Sequence, residues 1–255
     1  QGQIYVETEG EMVGQINGLS IIEYPGTPLS FGEPSRISCI VQFGDGEIVD
    51  VERKNELAGN IHSKGIMIAE ACLANVLELP SQLPFSASLV FEQSYGEIDG
   101  DSASLASFCV LLSALSSLPL PQSIAITGAI DQFGLVHAVG GVNDKIEGFF
   151  TICQRRGLTG KQGVMIPSAV LNQLSLSEAV VSAVKKQEFF IYPVETVEQA
   201  CEILLQRDLV EEENKTYDFD TLPLSRLIHQ RIDQYSEQQS HKFGLWDLFF
   251  GRKNR

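Results

Sequence analysis

Tyr95-Gly-Glu-Ile-Asp-Gly-Asp-Ser-Ala-Ser104 joins an alternating apolar run to a helical one. Upstream, between Ser86 and Ser94, Leu89, Phe91 and Gln93 alternate with Val90 and Glu92, the period of two expected of a strand. Downstream, Leu105, Phe108, Cys109, Leu112 and Leu115 form a broad apolar face from Ser102 to about Ser116, and Pro119 and Pro121 end the run. A strand, a glycine-bearing loop and a helix in that order put Ser102 at a helix N-terminus.

The flanks extend the pattern. Arg36 to Phe43, Gly44-Asp-Gly46 and Glu47 to Glu52 read as a β-hairpin with glycines in the turn. Ile66, Ala69, Leu73, Val76 and Leu77 predict a helix over 64–79, closed by Pro80 and Pro84. Ser123 to Thr127 and Leu135 to Val139 read as a pair of strands around the turn Asp131-Gln-Phe-Gly134. Asn143 is the expected N-cap of a helix running to Arg156, with Gly157 supplying left-handed backbone beyond it. A strand at Gly163 to Ile166, a helix over 168–187, a strand at Phe189 to Val194 and a helix opened by Thr196 follow. The predicted class is α+β, with mixed sheets flanked by helices. From Arg207 the acidic runs Glu211-Glu-Glu213 and Asp218-Phe-Asp220 predict a linker. Residues 1–206 are thus read as the folded domain and 207–255 as a linker plus an amphipathic C-terminal tail separate from the core.

Composition narrows the function classes. With 255 residues, 44% apolar and 20% charged, the chain has the make-up of a soluble globular protein. A formal net charge of −15 argues against a nucleic-acid partner, because phosphate binding needs clustered Lys and Arg. The five cysteines lack any C-x-x-C spacing, so no metal site is expected, and reduced thiols in the cytoplasm are the simplest reading. No run approaches the ~20 apolar residues of a membrane span, and Gln1-Gly-Gln3 does not begin a signal peptide. Trp246, Leu248, Phe249 and Phe250, followed by Arg252 and Lys253, are read as a segment for a partner groove or membrane surface, against packing within the chain or disorder.

Ser102 has a bland reading as a helix cap. Its functional reading is a nucleophile facing free N–H groups that could hold an oxyanion, and it needs a base. His62, His137, His229 and His241 lie in no triad context and are read as structural or solvated. Lys145 is better placed: Val142, Ile146 and Phe149 put its stem along the apolar face of its helix, where burial lowers a lysine's pKa.

Tyr95 to Ser104, Ile126-Thr-Gly128 and Val139-Gly-Gly-Val-Asn-Asp-Lys145 resemble, in order and spacing, the signatures of the Lon serine–lysine peptidases. Val13 to Leu19 and Gly59-Asn-Ile-His-Ser-Lys-Gly65 are similar to further segments of that domain, so the resemblance runs from about residue 10 to residue 206. It implies a Lon proteolytic-domain fold and a serine endopeptidase of unfolded or delivered polypeptides. In it Ser102 is nucleophile, Lys145 general base and Thr127 the lysine's hydrogen-bond partner, with the Asp101 and Ser102 amides as oxyanion donors. Asp-Gly-Asp-Ser-Ala-Ser is similar to the B-type branch. There Asp99 could pair with Lys145 and hold the site inactive, which leaves a non-catalytic scaffold or interaction domain as the alternative. The resemblance also implies a homo-oligomer, a hexameric ring, and ATP use by a separate module. Arg156-Gly-Leu-Thr-Gly-Lys-Gln162 lacks the phosphate-loop pattern, so no cofactor is expected in this chain.

Overall fold

The computed structural model describes residues 5–93 and 100–250, with side chains through Lys242. The chain forms β1 (Glu11–Met12), β2 (Gln15–Glu23), β3 (Ser30–Gly46), β4 (Ile48–Asp50), α1 (Val51–Lys54), α2 (Asn60–Val76), β5 (Leu83–Phe91) and α3 (Ser104–Ser116). It continues through β6 (Leu120–Pro121), β7 (Ile124–Ile126), β8 (Ala129–Ile130), β9 (Val136–His137), α4 (Val142–Arg156) and β10 (Gly163–Pro167). A 3-10 turn (Ser168–Gln173), α5 (Glu178–Lys185), β11 (Phe190–Val194), α6 (Val197–Leu205) and α7 (Leu224–Phe250) complete it.

The described residues build a seven-stranded sheet in the order β11-β10-β7-β2-β3-β5-β4, parallel from β11 to β2, antiparallel at β2/β3 and β3/β5, and parallel again at β5/β4. This is the mixed sheet that the sequence predicts. Side-chain alternation divides the core between its two faces. Ile124, Ile126 and Met165 join the cluster built around α2, α3 and α6, while Ala125, Val164 and Ile166 join that of α4 and α5. In α3 every residue but Ala114 is buried, as expected of a helix covered on all sides.

Several expectations need correction. Glu47 to Glu52 does not fold back on β3: β4 pairs in parallel with Ala87 to Leu89 of β5, which lies between β4 and β3. Gly46 serves that packing rather than a turn, since a Cβ there would lie 2.8 Å from the Phe85 carbonyl oxygen. β9 pairs with Ala129–Ile130 and not with Ser123 to Thr127, because β7 is already flanked by β2 and β10. Gly141, at φ 67°, occupies the N-cap of α4. Asn143 instead lies inside the first turn and braces the following loops, donating to the Gln173 carbonyl and accepting from the Ser175 amide. The helix expected over 168–187 divides into the 3-10 turn and α5, and β2 and the first part of β3, ahead of Arg36, add strands beyond those that the sequence predicts.

The stretch after Arg207 is not separate from the core as far as Ile232. Leu209, Leu224 and Ile228 are buried in the α3 cluster, with Ile232 packed against it. Basic side chains of α7 meet the carbonyl ends of core helices, where unpaired C=O groups and the helix dipole favour them. The Arg231 guanidinium donates to the Leu115 carbonyl at 2.6 Å and lies 5.0 Å from the Phe43 ring centre, and His229 Nε2 donates to the Leu77 carbonyl. Ile228→Ala is expected to reduce the free energy of unfolding by about 2–4 kcal/mol in urea titration. A loss below about 0.5 kcal/mol, the size of a surface change, would mean that α7 does not complete the core.

Candidate active site

Chain direction brings two helices from opposite faces of the sheet to one place. α3 begins just after Ser102 on one face, α4 carries Lys145 on the other, and the C-terminal end of β7 runs between them into Thr127. Backbone hydrogen bonds lock the junction. The Gly128 amide donates to the Ser102 carbonyl at 3.0 Å, the Leu105 amide to the Gly128 carbonyl at 3.1 Å, and the Thr127 amide to the Met165 carbonyl at 3.0 Å.

Ser102 does not serve as the helix cap. α3 starts at Ser104 with Ala103 in the cap position and no side-chain cap bond. The Ser104 hydroxyl accepts from the Ile130 amide. Among the described residues, the Ser102 hydroxyl makes no hydrogen bond, and neither the Asp101 nor the Ser102 amide donates one within the backbone. On the far side of this turn Gly65 of α2 lets Asp101 approach, for a Cβ there would lie 3.0 Å from the Asp101 Cβ.

Lys145 is 4% exposed. Its ammonium donates to Thr127 Oγ1 at 3.1 Å. Burial pulls its pKa down from the usual lysine range to about 8, while the charge of Asp101 pulls the other way. Two glycines permit this depth: a Cβ on Gly32 of β3 would stand 2.5 Å from the Lys145 Cα, and one on Gly148 of α4 would fall on the Gly32 carbonyl.

Ser102 and Lys145 both line a cavity of about 440 Å³ with Leu19, Glu33, Ile37 and His62. No hydrogen bond joins Ser102 to Lys145 among the described residues. Asp99, expected beside Lys145, lies outside the described residues; among those described, Asp101 supplies the charge that raises the Lys145 pKa. His62, read from the sequence as structural or solvated, is structural, and its partner Asp50, twelve positions away on another element, was not legible there. In the fold it is 1% exposed, its Nε2 is 3.5 Å from Asp50 Oδ2, and its ring meets Phe91 edge-on at 5.2 Å. All five cysteines are free and buried. Burial pushes the thiols of Cys39, Cys109 and Cys153 up to about 12, far from the range of a nucleophile.

A seryl turn and a buried lysine meet at a mixed sheet flanked by helices, an architecture consistent with a Lon-type proteolytic domain. Residues 95–207 match the family described as the Lon protease (S16) C-terminal proteolytic domain, and the chain belongs to that family of serine proteases. Over 247 residues it is 74% identical to a protein of Haemophilus influenzae named "Putative Lon protease homolog". It is 56% identical over 249 residues to an Escherichia coli protein of the same name. Both matches take in 97% of this chain and 41% of the relative, so the chain spans less than half the length of these relatives. An "Archaeal Lon protease" of Thermococcus kodakarensis is 30% identical over 209 residues, covering 79% of this chain and 29% of that protein.

The lowered pKa of Lys145 fixes the sign of a stability effect. Between about pH 8 and the ordinary lysine value of 10.5, the unfolded chain holds a proton that the folded chain has lost, so stability rises with pH across that window. Below it the buried charge is a full penalty. Lys145→Met is therefore expected to stabilise the fold by about 1–3 kcal/mol at pH 7, with the advantage shrinking above pH 8 in paired urea titrations. A constant difference from pH 7 to pH 10 would mean that the folded-state pKa is not lowered.

Proposed function

We propose that the chain is the proteolytic part of a Lon-like protease, a serine endopeptidase in which Ser102 and Lys145 form the catalytic dyad. The observation that carries this reading is a nearly solvent-free lysine, held by Thr127 and lowered to about 8, opening into the same cavity as a serine free of capping duty. A lysine in the neutral form can take the serine proton, which a solvated ammonium cannot. Attack by Ser102 Oγ on the peptide carbonyl then gives a tetrahedral intermediate, whose oxygen the Asp101 and Ser102 amides would receive. Collapse expels the amine, protonated by Lys145, and water repeats the sequence on the acyl-enzyme.

Substrate binding has a natural template. β7 pairs with β2 only at Asn17 and Gly18, and the same edge of β2 from Leu19 to Glu23 is unpaired among the described residues. A polypeptide can add there as an extended strand, its backbone fixing the scissile bond while the side chains stay variable. Such binding suits unfolded or delivered polypeptides. A hexameric ring, a cytoplasmic setting and ATP use by a further module complete the reading. No cofactor is required of this chain, nucleic acid is not a partner, and the end of the tail is assigned to a partner or membrane surface.

A second reading keeps the fold as a non-catalytic scaffold. It draws on the charge of Asp101, which favours the protonated lysine, and on the separation of Ser102 from Lys145 in hydrogen-bonding terms. Ser102→Ala is expected to reduce cleavage of an unstructured casein substrate by about a thousandfold or more. Parent activity should rise with pH through about 8 as Lys145 loses its proton. A Ser102→Ala chain as fast as the parent would sink the dyad, and a parent without turnover at any pH would favour the scaffold.

A further inference from the structure

Glu33 is an acid of the catalytic cavity that the proposed chemistry leaves unused. It sits in β3 opposite Ser20 of β2 and borders both the Ser102–Lys145 cavity and an adjoining cleft past Ile22, Tyr24 and Gly148. The nearby acids of that cleft are engaged: Asp144 accepts from the Ser30 hydroxyl at 2.6 Å, and Glu147 from the Ser177 hydroxyl at 3.0 Å. The Glu33 carboxylate makes no ion pair or hydrogen bond among the described residues. Partial burial raises its pKa, with no lowering by a cation among the described residues, although Arg155 also lines the cleft. Beside it the Ser20 and Ser35 hydroxyls lie 3.1 Å apart on the same face of the β2–β3 ribbon.

A partly desolvated carboxylate flanked by hydroxyls, in a cavity that also presents Leu19, Ile21 and Ile22, is complementary to a long cationic side chain. The aliphatic stem of lysine or arginine covers apolar surface while its head reaches the charge. Leucine would leave the carboxylate unpaired, and glutamate would meet like charge. We propose that Glu33 is a specificity-determining residue that selects a basic side chain, lysine or arginine, of the bound polypeptide next to the bond presented to Ser102. The stem would run along Ile22, and the cationic head would meet the Glu33 carboxylate and the Ser20 and Ser35 hydroxyls. The inference rests on the peptidase reading for the identity of the bound chain and names its substrate class.

The test uses fluorescent peptides identical except for one central Lys, Arg, Leu or Glu. Binding is measured by anisotropy to the Ser102→Ala chain, and cleavage is measured with the parent. The Lys and Arg peptides are expected to bind about tenfold or more tightly than the Leu peptide, the size of one charge-assisted hydrogen bond in a partly dry site. Glu33→Gln in the same background should bring that ratio near one, and Glu33→Lys should turn it in favour of the Glu peptide, with thermal unfolding confirming that each variant is folded. A ratio that survives both substitutions, a Leu peptide that binds as well as Lys, or no binding at all overturns the proposal. Glu33-dependent preference in a parent that cleaves nothing sinks the peptidase reading but leaves the subsite. Cleavage lost in Ser102→Ala without such a preference sinks the subsite alone.

Discussion

The crossing of α4 over β3 is the constraint from which the site follows. With hydrogen in place of Cβ at Gly32 and Gly148, helix and strand approach until the Lys145 backbone rests on the sheet. A side chain at either position would lift the helix and carry the ammonium toward water, where its pKa would return to the ordinary range. The depth of one lysine thus depends on two residues that do no chemistry.

The opposite face supplies the other half. α3 is buried on all sides, so its start cannot drift, and the Ser102 turn is tied to Gly128 by reciprocal backbone bonds. Thr127 stands between, bound to β10 through its amide and to Lys145 through its hydroxyl. The site therefore belongs to the junction of both layers with the sheet and to no single element. α7 contributes at a distance, joining the carbonyl ends of α2 and α3 to the core and so steadying the helix that Ser102 precedes.

The cavity itself is asymmetric in charge. A lysine lowered by burial faces Asp101, whereas Glu33, on the β2–β3 ribbon, has no counter-charge among the described residues. Under the proposed function, such a division separates the group that would handle protons from the group that would recognise a substrate. His62, which lines the same cavity, stands 3.5 Å from buried Asp50 and adds a buried polar pair beside it.

Local patterns determined what depends only on near neighbours. The apolar periods marked β5, α2, α3, α4, β10, β11 and α6, Thr196 was legible as a cap, Lys145 lay on an apolar helix face, and the ordered motifs from Tyr95 to Lys145 drew attention to Ser102. Only the tertiary structure decided what depends on partners far along the chain. β4 chose β5 over β3, β9 chose β8 over β7, and the N-cap of α4 fell to Gly141, whose backbone conformation no period reports. The segment after Arg207 joined the core because its sparse apolar residues meet surfaces built by helices more than a hundred positions earlier. Burial, pairing and charge compensation are properties of neighbours in space, so the low pKa of Lys145, the His62–Asp50 pair and the solitary carboxylate of Glu33 became visible only once the sheet and its two layers were assembled.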